Sequence, residues 1–229
     1  MPREFHKPMN IISILLTIPA VLIALTVHEC AHGYAAWRLG DPTARSLGRL
    51  SLNPLRHLDP IGTLCMIFFR FGWAKPVPIN SRYFKKPRRD MAITALCGPI
   101  SNFLLALLGA FLYIAFLLLF NTILTATEVS RIPYLIMEYF LTFLYGFHYV
   151  NLTLGLFNCI PIPPLDGSRF FLLLLPAKVH YAVLRYERAI SIALMLIIFL
   201  GVRFGFLSAV ADWISGGMLS LVQLIFGIG

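Results

Sequence analysis

The chain has 229 residues, of which 59% are hydrophobic and 13% charged, with a formal net charge of +9 and a mean hydropathy of +0.80. Soluble domains are about half apolar and about a quarter charged, so this composition excludes a water-soluble globular protein, and it holds too much Leu, Ile and Phe for a disordered, collagen-like or disulfide-scaffold chain. The class that remains is an all-α polytopic membrane protein, expected as one integral membrane domain over residues 1–229, with about five transmembrane crossings and a short cytoplasmic-face β or re-entrant segment.

In chain order, residues 11–40 make the first element. Ile11 to Val27 is uncharged, about 20 residues of helix cross the hydrocarbon core, and the pattern continues through Trp37 to a stop at Gly40. This run leads into charged residues and not into a small-residue cleavage site, which argues against a signal peptide. Residues 43–87 differ in kind. They alternate apolar with basic residues, carry Pro54, Pro60, Pro76, Pro78 and Pro87, and contain the run Gly62 to Phe71, too short to span. They read as cytoplasmic-face strands or a re-entrant loop, admissible at membrane depth only where they line a water-filled cavity.

Residues 91–127 carry no formal charge and are long enough for a tilted second span, followed by a loop with Glu128, Arg131 and Pro133. Residues 134–175 read as a broken span. An apolar stretch with one acid, Glu138, runs to Phe157, is interrupted from Asn158 to Pro164, and resumes from Leu165. Pro161, Pro163 and Pro164 remove three backbone donors, so the interruption cannot be helix. Residues 189–229 form a terminal helical hairpin turning near Gly201 to Gly205. There is no internal repeat, low-complexity tract or appended soluble domain.

Of the 19 basic residues, 11 lie between Arg38 and Asp90, against Asp41, Asp59 and Asp90 alone. Basic loops stay in the cytosol, so this segment is expected there, with the N-terminus and the Glu128 to Pro133 loop outside and Lys178 to Arg188 back inside. The positive charge then reports topology and anionic headgroups of the lipid bilayer; no basic-aromatic pattern suggests nucleic acid. Cys30, Cys65, Cys97 and Cys159 each sit in apolar surroundings and read as small buried hydrophobes.

The chemistry starts at His28-Glu29-Cys30-Ala31-His32. Histidines at i and i+4 share one helix face and can meet on one Zn²⁺, with Glu29 beside the open coordination position. An ionisable side chain in an apolar helix costs on the order of 2.5 kcal/mol or more, so a triplet of them marks a functional site. If Arg38 marks the cytoplasmic interface, His32 lies ~9 Å and His28 ~15 Å deeper. A catalytic zinc needs a third protein ligand. Asp166 is preferred, since it follows the proline break and precedes Gly167, where unwound backbone can bring a carboxylate in. His148 is the rival, although with Tyr145 and Asn151 it makes a stripe that also fits helix–helix hydrogen bonding. His57 reads as an interfacial loop histidine, and His6 and His180 as flanks.

Three ordered motifs, His28-Glu29-Cys30-Ala31-His32, Gly98-Pro99-Ile100-Ser101-Asn102 and Asn158-Cys159-Ile160-Pro161-Ile162-Pro163-Pro164-Leu165-Asp166-Gly167, resemble the signatures of the site-2 protease family of intramembrane zinc metalloproteases. Gly48-Arg49-Leu50-Ser51-Leu52-Asn53-Pro54 and Gly72-Trp73-Ala74-Lys75-Pro76-Val77-Pro78 resemble its small prokaryotic branch, which lacks a PDZ domain. The resemblance covers Ile11 to Arg169. It implies one zinc per chain in a prokaryotic inner membrane, Asp166 as third ligand, Asn158 near the reacting carbonyl, and cleavage of transmembrane or membrane-proximal segments of protein or peptide substrates.

The residues support the same chemistry unaided. Zinc acidifies a water and polarises a carbonyl, Glu29 takes the proton and gives it to the leaving amine, and Asn158 or Asn102 stabilises the oxyanion. Asn158 also fits a cap before the proline break, and Asn102 an interhelical hydrogen bond. Gly98-Pro99 is expected to let another segment approach. A substrate helix must unwind, and a strand edge within residues 43–87 could hold it by β-augmentation. Six histidines with one such pair are too few for a di-iron desaturase. A non-catalytic membrane zinc-binding protein or scaffold would use the same ligands, but Glu29 is superfluous to binding alone. The sequence carries no signal for oligomeric state.

Overall fold

The computed structural model describes residues 11–69, 73–200 and 205–228. Its helices are α1 (Ile11–Arg38), α2 (Thr43–Ser46), α3 (Pro60–Phe69), α4 (Pro87–Ala126), α5 (Arg131–Asn158), α6 (Asp166–Leu174), α7 (Ala177–Phe199) and α8 (Gly205–Ile225). The uncharged runs became the long helices because a chain in lipid must satisfy every backbone donor within itself. α1, α4 and α5 pack against one another as an up-and-down core, with α8 laid on α4 and α5 and the short α6 on α4.

The core is built from small residues. Ala20, Ala24, Ala106 and Ala110 are completely buried, which lets the backbones approach closely, as association in lipid requires. A larger cluster of Tyr113, Ile114, Leu144 and Val222 joins α4, α5 and α8 toward the other end. Large apolar side chains face outward instead: Leu104 is 63% and Trp213 80% exposed, the surface expected of a chain whose solvent is hydrocarbon.

Among the described residues, four helices are long and apolar enough to cross a membrane, namely α1, α4, α5 and α8. The expected fifth crossing, residues 189–202, falls on α7. Its N-terminal half carries Lys178, Arg185, Glu187 and Arg188, leaving an apolar stretch from Ala189 to Phe199 that covers only about 16 Å of the ~30 Å core. α7 is tied to α6 by polar contacts, an Arg169–Glu187 ion pair and a hydrogen bond from His180 Nδ1 to Leu172 O. The expected turn at Gly201 to Gly205 lies largely outside the described residues, as does His6.

Of the two readings of residues 43–87, strands or a re-entrant loop, the strand one fails. No strand forms among the described residues there; the pairing amounts to a single bridge between Leu58 and Ala74. The prolines account for this, because Pro54, Pro60, Pro76, Pro78 and Pro87 cannot donate to a ladder, and two of them open helices α3 and α4 instead. What results is a folded cap: α2, a 3₁₀ turn at Pro54–Arg56, the ten-residue α3, and an extended strap over residues 73–80.

Candidate metal centre

Four elements supply the site. His28 and His32 lie one turn apart on α1, both buried, with rings edge-on at 4.6 Å between centroids. Asp166 opens α6. It is carried there by the proline break, whose backbone turns through Ile162 N to Ile160 O (2.9 Å) and Leu165 N to Ile162 O (3.0 Å). Gly167 makes this fold-back possible, since a Cβ there would lie 2.3 Å from the Cys159 carbonyl oxygen. On α4, Gly98 faces the two imidazoles so closely that a Cβ would lie 2.4 Å from His32 Nε2. The segment that Gly98-Pro99 was expected to admit is therefore the histidine pair itself.

The three candidate ligand atoms converge. His28 Nε2 and His32 Nε2 are 3.1 Å apart, and Asp166 Oδ2 lies 3.0 Å from the first and 3.1 Å from the second. The protons are on the far sides of the rings. His32 Nδ1 donates to the Thr94 carbonyl at 2.8 Å, and His28 Nδ1 donates to Asn102 Oδ1. Asn102 is held in that orientation because its amide nitrogen donates to Ala24 O (3.2 Å) and to Asn151 Oδ1 (3.0 Å). With both Nδ1 atoms acting as donors, each imidazole in its neutral form turns its Nε2 lone pair toward the other and toward a carboxylate oxygen. Such an arrangement calls for a cation. Donors bound at ~2.0–2.2 Å around a tetrahedral zinc stand roughly 3.3 Å apart, close to the spacing found, and two nitrogens with one oxygen suit that metal. Each imidazole also has the outer hydrogen bond that fixes a ligating histidine.

A cavity of about 500 Å³ opens beside these atoms. Glu29 and Asn158 line it with the triad, and Leu25, Leu154 and Phe157 add apolar wall. Glu29 Oε2 accepts a hydrogen bond from Val77 N at 2.8 Å, and Asn158 Nδ2 donates to Leu154 O at 3.0 Å.

Asn102 does not line this cavity. It is completely buried and both its amide hydrogens are engaged, so it has none left for an oxyanion; it is a support for His28, the interhelical alternative. His148 is not near the triad's ligand atoms: its Nδ1 donates to Ala106 O (2.8 Å) and its Nε2 accepts from Ser215 Oγ (2.9 Å), joining α5 to α4 and α8. His57, expected in an interfacial loop, is 1% exposed and donates from Nε2 to Ser51 O. The strand edge expected to receive a substrate is missing among the described residues; the strap borders the cavity, but Pro76 and Pro78 have no N–H and that of Val77 is taken. Thr94 and Val77 escaped sequence reasoning because each acts through its backbone, which leaves no residue-type signal.

Residues 16–202 match the family model described as Peptidase family M50. The chain is 37% identical over 187 residues to the Bacillus subtilis protein named "Putative zinc metalloprotease YwhC", covering 82% of this chain and 80% of that one. Proteins named "Putative zinc metalloprotease Rip2" are also similar, 29% identical over 168 residues in Mycolicibacterium smegmatis and 30% over 159 residues in Mycobacterium tuberculosis. The chain spans only 58% and 54% of the lengths of those two. No solved structure matches it significantly. The ordered motifs, the converging triad and the spans α4 and α5 thus fall inside one matched region, and the chain belongs to peptidase family M50, the site-2 protease family of membrane-embedded zinc metallopeptidases.

Proposed function

We propose that this chain is an intramembrane endopeptidase that holds one zinc between His28, His32 and Asp166 and cuts peptide bonds in or beside transmembrane segments of other proteins. The observation that carries the reading is the set of three facing lone-pair atoms with Glu29 in the same cavity. Zinc, when bound, supplies Lewis acidity to a water and to the carbonyl under attack. Glu29 takes the proton from that water and passes it to the leaving amine. Asn158, with one amide hydrogen on Leu154 O, offers the other to the oxyanion. The apolar walls receive apolar substrate side chains, as a segment drawn from lipid would present. That segment must be unwound, because intrahelical hydrogen bonds shield helical carbonyls.

The metal centre sits at the end of the bundle that carries the basic cap, since His32 is six residues from Arg38 and the strap lines the cavity. With that cap in the cytosol, the cut falls in the cytosolic half of a substrate span and releases a cytosolic fragment, in a prokaryotic inner membrane. The test is co-expression with a panel of single-span membrane proteins, comparing wild type with Glu29→Gln. The variant is expected to keep zinc near wild-type content and to lose cleavage; proteolysis that survives it overturns the mechanism.

A further inference from the structure

The strap over residues 73–80 is fastened along its length. Lys75 N donates to His57 O at 2.8 Å, the Arg49 guanidinium donates to the Lys75 carbonyl at 2.8 Å, and Asn80 N donates at 2.6 Å to Asp41, a carboxylate with no exposed surface. Between these points Val77 N donates to Glu29 Oε2 at 2.8 Å. Val77 is itself buried at 6% exposure and packs on α1 beside Gly33, whose Cβ, if present, would be 3.1 Å from Val77 Cγ1. Both its neighbours, Pro76 and Pro78, lack an N–H. The Pro-Val-Pro stretch therefore carries a single backbone donor, and that donor is spent on the one carboxylate in the cavity that does not belong to the converging triad.

We infer that the Val77 N–H is a positioning group for Glu29, holding one carboxylate oxygen so that the other is presented to the attacking water. This rests on the reading of Glu29 as general base. A free Glu side chain samples many rotamers, whereas a charge-assisted hydrogen bond from a strap clamped on both sides fixes one. Misplacing a reacting group by about 1 Å costs on the order of 100-fold in rate. The arrangement also explains prolines on either side: they leave the strap extended and unable to form a ladder that would divert the Val77 donor.

The test replaces the Val77 amide by an ester, using the α-hydroxy analogue of valine, which removes the N–H and keeps the side chain. The ester protein is expected to show kcat lowered about 10- to 100-fold with KM and zinc content unchanged, and Val77→Ala, which trims the buried side chain but retains the N–H, is expected to show a clearly smaller fall. Unchanged kcat in the ester overturns the inference. So does a raised KM with kcat intact, which makes the strap a substrate-binding edge, or loss of zinc, which makes it a support for the metal. An equal fall in Val77→Ala assigns the effect to side-chain packing and also overturns it. Glu29→Gln is measured alongside: if that variant still cleaves, the general-base reading fails and this inference with it, whereas a silent Glu29→Gln beside a fully active ester condemns the Val77 role alone.

Discussion

Replacing Gly98 by Ala should abolish tight zinc binding, although Gly98 carries no chemistry of its own. The added Cβ would stand 2.4 Å from His32 Nε2, 2.5 Å from His32 Cε1 and 2.7 Å from His28 Cε1, where ordinary contact begins at 3.4 Å. His32 Nε2 must then retreat by about 1 Å, in a site whose ligand distances tolerate only about 0.2 Å. α4 cannot move away instead, since the Thr94 carbonyl and Asn102, a turn either side of Gly98, are hydrogen-bonded to the same two imidazoles. The loss should be at least about 100-fold in affinity, about 2.7 kcal/mol. Helix propensity pushes the other way: Ala in mid-helix gains about 1 kcal/mol over Gly, offsetting part of an overpacking cost of about 1–3 kcal/mol, so the metal-free variant should unfold within about 2 kcal/mol of wild type. Zinc affinity by competition with a chromophoric chelator and thermal unfolding of chelated protein, both in detergent, separate the two effects. Wild-type zinc affinity and turnover in Gly98→Ala would refute the convergence of α4 on the histidine pair.

The other expectations are more local. Asn102→Ala should weaken zinc 10- to 100-fold, as loss of an outer hydrogen bond to a ligating histidine does, whereas Asn158→Ala should keep zinc and lower kcat by about 100-fold; the reverse pattern exchanges their roles. Asp166→Ala should lose about one equivalent of zinc and all activity. His148→Ala should keep its zinc and loosen α8 by about 1–2 kcal/mol in unfolding experiments, and zinc lost from His148→Ala but not from Asp166→Ala would make the third ligand wrong. In a background lacking the four native cysteines, an impermeant thiol reagent applied to intact cells should label Glu128→Cys and spare Lys85→Cys; both positions are exposed, at opposite ends of a helix about 60 Å long, and the inverse result reverses the topology.

What could be read from the sequence was whatever is local. The i, i+4 spacing put His28 and His32 on one face, the long apolar runs became α1, α4 and α5, and three prolines announced the break that delivers Asp166. Asn102 was recognised as a polar residue at depth but not assigned to one role, since an amide serves equally as oxyanion donor or interhelical bridge until its hydrogen-bond partners are known. Within residues 43–87 only the strand alternative failed, because apolar-basic alternation is the pattern of a half-buried strand, while the prolines within it veto the ladder. α7 misled because ten apolar residues, broken only by Ser191, follow directly on a charged turn, and hydropathy without length resembles a span. The backbone groups at Thr94 and Val77 lay beyond reach of any residue-type argument.

The same residues that would hold zinc also hold the bundle together. An isolated α1 would carry two imidazoles and a carboxylate into lipid with no partner, at a cost of several kcal/mol. In the folded chain His28 bonds across to Asn102 on α4, Asn102 bonds on to Asn151 on α5, and His32 bonds to the α4 backbone at Thr94, so each polar group introduced by one helix is satisfied by another. Three helices are thereby fixed in register by a network that a one-residue slip would break, where apolar packing alone would tolerate sliding. The atoms left over after this mutual satisfaction are the three that face one another at 3.0–3.1 Å, and a bound cation would be held by all three at once. Metal binding should therefore stabilise the fold by mass action, and chelation should lower the unfolding temperature of wild type by more than that of Gly98→Ala, whose site has already lost its grip.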